Sequence, residues 1–206
     1  MKISYAITVC NELEELMKLL NFIQLYLREK DEIVVQYDSE SVTSEVMEYL
    51  NLMEKMHNYT IVGFPLNKDF GSFKNNLKLN CLGDYIFQID ADEIPHEVLI
   101  SNLPNLLETN PVDVIFVPRV NTVDGLTQEH IQKWKWNVNE EGWVNWPDYQ
   151  LRIYRRTDDV EWRNKVHETI TGYDTFSNFP AEEHWALYHP KQIDRQEKQN
   201  QFYETI

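Results

Sequence analysis

Five short apolar runs, each ending in polar or acidic residues and spaced by segments with helical periodicity, constrain this chain more than any other feature. The runs are Ile3 to Val9, Glu32 to Tyr37 with Asp38 at its end, Tyr59 to Phe64, Asp84 to Ile89, and Val112 to Val117. Between the first two, Leu13, Leu16, Leu20, Ile23 and Leu27 recur at the spacing of one helix face. Asn11 and Glu14 ahead of them fit a capping box. Ser41 or Thr43 is placed to cap a second helix carrying Val46, Leu50 and Met53. Phe70, Phe73, Leu77 and Cys81 mark a third helix ended by Gly83, and Pro95 is expected to open a short fourth one. Strands alternating with helices predict an α/β fold, a mainly parallel central sheet with helices on both faces. Such a sheet binds ligands beyond the carboxyl ends of its strands.

The pattern changes after Arg119. Residues 121–147 are polar and hold Trp134, Trp136, Trp143 and Trp146, and a strand follows from Tyr149 to Tyr154. With 206 residues and no repeat or evident linker, the chain reads as a single domain, 1–206, with a ligand-binding half over 1–118 and a second half with a tail over 119–206. The formal net charge of -15 disfavours an extended nucleic-acid or anionic-membrane surface but allows a local basic pocket. Cys10 and Cys81 lie in apolar stretches and read as buried free thiols, with no zinc-type spacing. Neither a signal peptide nor an apolar run of membrane-spanning length is apparent, so a cytoplasmic protein is expected.

The parallel topology gathers four features at one sheet edge: Thr8 to Glu12, Asp38, Lys74-Asn75, and Asp90 to Glu93. A divalent ion on a diphosphate needs one or two protein carboxylates and leaves its other positions to phosphate oxygens and water. In Asp90-Ala91-Asp92 one aspartate can ligate such an ion, while the other holds ribose hydroxyls or a metal-bound water. Acidic residues also suit the start of a helix, so the triplet alone is not decisive. A carboxylate at Asp38 can accept the imide N–H of uracil, or it can simply serve the turn that follows. Lys74 can neutralise phosphate, with Asn75 hydrogen-bonding beside it, or both can lie on an exposed helix face.

The runs Asp69-Phe70-Gly71-Ser72-Phe73-Lys74-Asn75 and Leu82-Gly83-Asp84 through Asp90-Ala91-Asp92-Glu93 resemble the family-2 glycosyltransferases, and among them the lipopolysaccharide-core and capsule-type members. Thr8 to Glu12, Tyr149 to Arg155 and Val166-His167-Glu168 extend the resemblance over roughly Ile3 to His189. It implies a GT-A fold, a nucleotide-sugar donor such as a UDP-sugar, and inversion at the anomeric carbon. It also implies that Asp38 contacts the base, that Asp92 binds Mn2+ or Mg2+, and that Asp90 faces the ribose and the metal. Thr8, Asn11, Glu12, Lys74, Asn75, Trp146 and His167 are then candidates for substrate contacts. Lys74 stands where the family commonly has arginine, which keeps the charge and loses the planar fork.

An inverting transfer to a hydroxyl acceptor, whether glycan, lipid-linked or other, needs a general base. Asp148 is the first candidate and Glu168 the second, against bland readings as a turn residue and as a partner of Arg163 or Lys165. His189 is a candidate further metal ligand, since imidazole suits manganese, or else a surface residue. The tryptophans can stack on sugar or build a lid. Two other functions fit the same fold: a nucleotidyltransferase that makes nucleotide-sugars, and a non-catalytic carbohydrate-binding module. Against the first, Thr8 to Glu12 contains no glycine to cradle a triphosphate.

Overall fold

The structure is a computed structural model that describes residues 1–203. Its elements, in chain order, are β1 (Ile3–Val9), α1 (Leu13–Tyr26), β2 (Glu32–Asp38), α2 (Ser44–His57), β3 (Thr60–Phe64), α3 (Phe70–Leu79), β4 (Tyr85–Asp90), β5 (Ile94–Pro95) and α4 (Glu97–Thr109). There follow β6 (Val114–Val117), β7 (Arg119–Asp124), α5 (Gln128–Trp134), β8 (Gln150–Arg155), β9 (Glu161–Arg163), β10 (Thr169–Thr171), β11 (Phe176–Asn178), β12 (Leu187–Gln192) and α6 (Ile193–Tyr203).

Seven strands form the central sheet in the order β11-β6-β8-β4-β1-β2-β3. The stretch β4-β1-β2-β3 is parallel, and β8 runs antiparallel to both β4 and β6. The fifth apolar run is thus a strand, as expected, but β8 from the second half of the chain separates it from β4. A strand buried on both sides reads as a continuous apolar run. Along β1, Ile3, Tyr5, Ile7 and Val9 pack toward α1, α2 and α4, while Ala6 faces the opposite layer of α3, β9 and β10.

Several local expectations are corrected. Glu12, not Asn11, precedes α1, and no side chain caps that helix; the Glu12 carboxylate instead accepts the Cys10 and Asn11 backbone N–H groups at 2.8 and 3.0 Å. Thr43 caps α2 by accepting from the Val46 N–H, as expected. Helix α3 starts on the Asp69 cap and ends at Leu79, before Cys81 and Gly83. Pro95 belongs to β5 rather than to a helix, because its backbone pairs with Leu187 of β12; the helix that follows spans 13 residues. Cys81 is buried as expected, whereas Cys10 is only half-buried; both are free thiols.

A second sheet, β5-β12-β7, lies at the end of the molecule where the carboxyl ends of β1 and β4 emerge. Its parallel β12–β7 pairing sets His189 opposite Asn121. On the other side, α3 meets the β9–β10 hairpin closely. The Gly71 N–H donates to the Asn164 carbonyl, and a Cβ at Gly71 would lie 2.6 Å from that oxygen. The close approach explains glycine at this position and brings the hairpin against Lys74.

Candidate active site

A cleft of about 890 Å³ opens above the carboxyl ends of β1, β2 and β4, within the range of small-molecule sites. Thr8, Asn11 and Glu12 line it from the end of β1, Asp38 from β2, Lys74 from α3, and Asp90 and Asp92 from the end of β4. Asp148, His167, Glu168 and His189 reach it from the second half of the chain. Two expected contacts do not. The Asn75 amide is spent on the Trp162 backbone, with Nδ2 donating to the carbonyl and Oδ1 accepting the N–H, both at 2.8 Å. Trp146 packs edge-on against Trp143 at 4.8 Å, outside the cleft. Trp136 lines the cleft instead.

The cleft floor is an ionic cluster. Register places Thr8 opposite Asp90, and the Thr8 hydroxyl donates to Asp90 Oδ1 at 2.7 Å. Arg152, buried on β8, donates to Asp90 Oδ2 and to Glu93 Oε1, each at 2.6 Å. Arg119 adds a bond to Glu93 at 2.9 Å and grips Asp148 through Nε and Nη2 at 2.9 and 2.8 Å. Burial alone would raise the Asp90 pKa, but the Arg152 guanidinium, with Lys74 and the Thr8 hydroxyl, holds it well below the usual carboxylate range.

Asp148 belongs to this cluster. Oδ2 accepts from Arg119 and from Asn121 Nδ2 at 2.7 Å, and Oδ1 accepts from Gln150 at 3.0 Å. Burial would raise its pKa, but Arg119, Asn121 and Gln150 outweigh it and lower the value. A carboxylate so engaged is a weak base. Glu168 is placed differently: it lies at the cleft wall and its polar partner among the described residues is Lys74, whose ammonium also sits 4.5 Å from the Trp162 ring centroid. Asp38 Oδ1 accepts backbone N–H groups from Glu40 and Leu66 at 3.2 and 3.1 Å, which shapes the loop around the far end of the cleft.

Asp92 stands at the rim, facing the same cleft as Asp38. Its Oδ2 lies 3.3 Å from His189 Nε2 and 3.3 Å from Arg195 Nη2. Burial would raise the Asp92 pKa; the His189 ring, which donates from Nε2 to Asp92 once it is protonated, instead holds it at about 2, with Lys191 adding to the effect. Burial lowers the His189 pKa against the opposing pull of Asp92. Arg195 on α6 also bonds Glu12 and Glu15, at 2.8 and 3.1 Å. Lys191 and Lys198 complete a set of cations around the cleft, in a chain whose overall charge is strongly negative. The sequence reading had not singled out Arg119, Asn121, Arg152, Lys191 or Arg195. Arg152 alone carried a signal, as the cation inside the apolar run Leu151 to Tyr154.

Among the described residues, no three His, Cys, Asp or Glu side chains form a metal-binding group. Asp92 and His189 nevertheless fit a two-ligand site. Adjacent ligand atoms of an octahedral ion with ~2.1 Å bonds lie about 3 Å apart, close to the observed separation of 3.3 Å. Asp90 does not fit as a ligand, because both its oxygens are engaged by Thr8 and Arg152.

The model of the family described as glycosyl transferase family 2 matches residues 4–185. This chain belongs to that family. Among solved structures, this family-2 chain is similar to S. aureus TarS 1-349 in complex with UDP, at TM-score 0.63 and 14% identity over 92% of this chain and 60% of that one. The same S. aureus protein in complex with UDP-GlcNAc gives TM-score 0.61 and 15% identity over 93% and 59%. A weaker likeness, TM-score 0.49 with 17% identity over 75% and 56%, is to glucosyl-3-phosphoglycerate synthase from Mycobacterium tuberculosis, in a complex that holds Mn2+, UDP and phosphoglyceric acid. The chain spans about 60% of the TarS 1-349 structures and 37% of the longer TarS structure. No curated protein matches it in sequence. The likeness establishes the nucleotide-sugar transferase fold, GT-A, that the motifs implied. Among the described residues no helix is long and apolar enough to cross a membrane.

Proposed function

We propose that this chain transfers a sugar, with inversion, from a UDP-sugar to a hydroxyl acceptor. The observation that carries the reading is the pair Asp92 and His189, facing each other 3.3 Å apart at the rim of a cleft that also holds Asp38 and Lys74. A divalent ion, Mn2+ or Mg2+, held by Asp92 and His189 would offset the charge that gathers on the departing diphosphate. Lys74, Lys191 and Lys198 supply further positive charge around that position. Asp38 borders the end of the cleft suited to the base, and Thr8, Asn11 and Glu12 border the stretch between. The S. aureus complexes with UDP and UDP-GlcNAc support a uridine donor on this fold.

We assign Glu168 as the base. It takes the proton of the acceptor hydroxyl while that oxygen bonds to the anomeric carbon, whose bond to the diphosphate oxygen breaks. UDP leaves with the electron pair. Asp148 serves the cluster beneath, since Arg119, Asn121 and Gln150 already engage it. Asp90 holds Arg152 and Thr8 in place. His167 and Trp136 border the acceptor side, so residues 119–206 of a single domain supply acceptor contacts and part of the metal site, while 1–118 hold the nucleotide. Two free thiols support work in the reducing cytoplasm.

The test is transfer from UDP-sugars with Mn2+ or Mg2+, scored against slow hydrolysis without acceptor. Glu168→Gln should lower transfer by a factor of roughly 10²–10⁴, as loss of a general base does, and leave UDP binding within a few-fold. Full activity in that variant would remove Glu168 from the chemistry.

A further inference from the structure

Asn121 sits on β7, opposite His189 on β12, and its side-chain amide bridges two groups of fixed character. On one side is Asp148, which Arg119 contacts through two nitrogens. An ionised carboxylate only accepts hydrogen bonds. The Asn121 atom 2.7 Å from Asp148 Oδ2 must therefore be the amide nitrogen. The same nitrogen points at the Val144 carbonyl, another acceptor, at 3.5 Å. The opposite end of the amide is then the carbonyl oxygen, which lies 2.7 Å from His189 Nδ1. An oxygen cannot donate, so Nδ1 must carry a hydrogen. In a neutral ring the second nitrogen, Nε2, is then a bare lone pair, and it faces Asp92 Oδ2. The separation of 3.3 Å exceeds the ~2.7–2.9 Å of a charge-assisted N–H···O bond.

We infer that Asn121 is a positioning residue that fixes the His189 tautomer, with Asp148 as its anchor, so that Nε2 is presented beside Asp92 as a ligand for a divalent cation. The inference rests on the metal reading above only for its last step; the tautomer itself follows from the hydrogen bonds. The chain Arg119–Asp148–Asn121–His189 gives Asp148 a role other than that of base. Partners that orient a ligating histidine in this way commonly change metal affinity by roughly 10–100-fold when removed.

The test is a long-range ¹H–¹⁵N spectrum of histidine-labelled protein at pH 8 without metal. The His189 ring should carry its proton on Nδ1. A ring protonated at Nε2, alone or together with Nδ1, overturns the assignment. In Asn121→Ala the Nδ1–H preference should be lost, and Mn2+ affinity in the presence of UDP, read by electron paramagnetic resonance, should fall roughly 10–100-fold. Unchanged affinity in a folded Asn121→Ala protein also overturns it. If Asn121→Ala does not fold, the wild-type spectrum alone decides. A wild type with Nδ1–H that binds no Mn2+ would end the metal reading of the function and leave the tautomer standing.

Discussion

Asp90 and Asp92 are separated by one residue, yet they belong to two regions of opposite character. Asp90 sits in the floor, where every carboxylate meets a buried guanidinium or a hydroxyl at 2.6–2.9 Å. Asp92 sits at the rim, where its two nitrogen partners stand off at 3.3 Å. The floor's carboxylates are engaged by the protein's own guanidiniums; the rim carries an ionised carboxylate and a histidine whose facing atoms stand at the separation of adjacent ligands of one cation. Proximity in sequence therefore says little about role here. What separates the two aspartates is which elements they face: strands β1 and β8 for Asp90, strand β12 and helix α6 for Asp92.

The comparison is broken most severely from the floor. Arg152→Met leaves Asp90 and Glu93 without their shared buried partner, and removing one member of a buried ion pair costs about 3–5 kcal/mol. Thermal unfolding should move down by on the order of 10 °C. A change of a degree or two would mean that the floor is not the structural half of the site. Asp92→Asn should do the reverse. Melting of the metal-free protein should fall by less than in Arg152→Met, since Asp92 gives up two contacts of 3.3 Å rather than the short bonds of the floor. Transfer should fall by roughly 10²–10³, the effect of several kcal/mol of charge stabilisation.

Acid sharpens the contrast. Folding depresses the pKa of Asp90, of Asp148 and of Asp92, the last from 3.8 to about 2. A depressed carboxylate stabilises the folded state above its unfolded pKa, and that contribution fades as pH falls through the folded value. Stability should thus decline from about pH 4 toward pH 2, in a urea titration followed across that window. A stability that stays flat over it would contradict the ionic floor. The smallest effect is expected from Arg195→Ala. Arg195 is partly exposed, so stability should change by less than about 1 kcal/mol. Mn2+ affinity should rise a few-fold, because one competing cation leaves Asp92.

The parallel half of the fold was legible because β1, β2 and β4 are buried on both faces and their apolar runs end in the polar residues that line the cleft. The insertion of β8 between β4 and β6 was not legible. Its partners lie 33–40 residues away on β6 and 66–70 away on β4, and a four- to six-residue run carries no register information. Of the site, Asp38 and Asp92 were candidates because they close or follow apolar runs, and Lys74, Glu168 and His189 by residue type and motif; all five line the cleft, with Lys74 on α3 and His189 inside β12. Asn75 and Trp146 were misplaced for one reason: a polar or aromatic side chain beside a site can be consumed by packing, as the Trp162 backbone and Trp143 show. Asn121 left no trace in the sequence, because its meaning arises only from the β7–β12 register that brings it to His189.

The central claim is that the rim, and not the floor, receives the cation. Titration of Mn2+ into the protein with UDP, followed by the loss of the free-ion paramagnetic signal, tests it most directly when wild type is set beside Asp92→Ala. Saturable binding by the wild type that weakens at least tenfold in a folded Asp92→Ala protein is the expected result. Equal binding by both, or none by the wild type, would contradict the account.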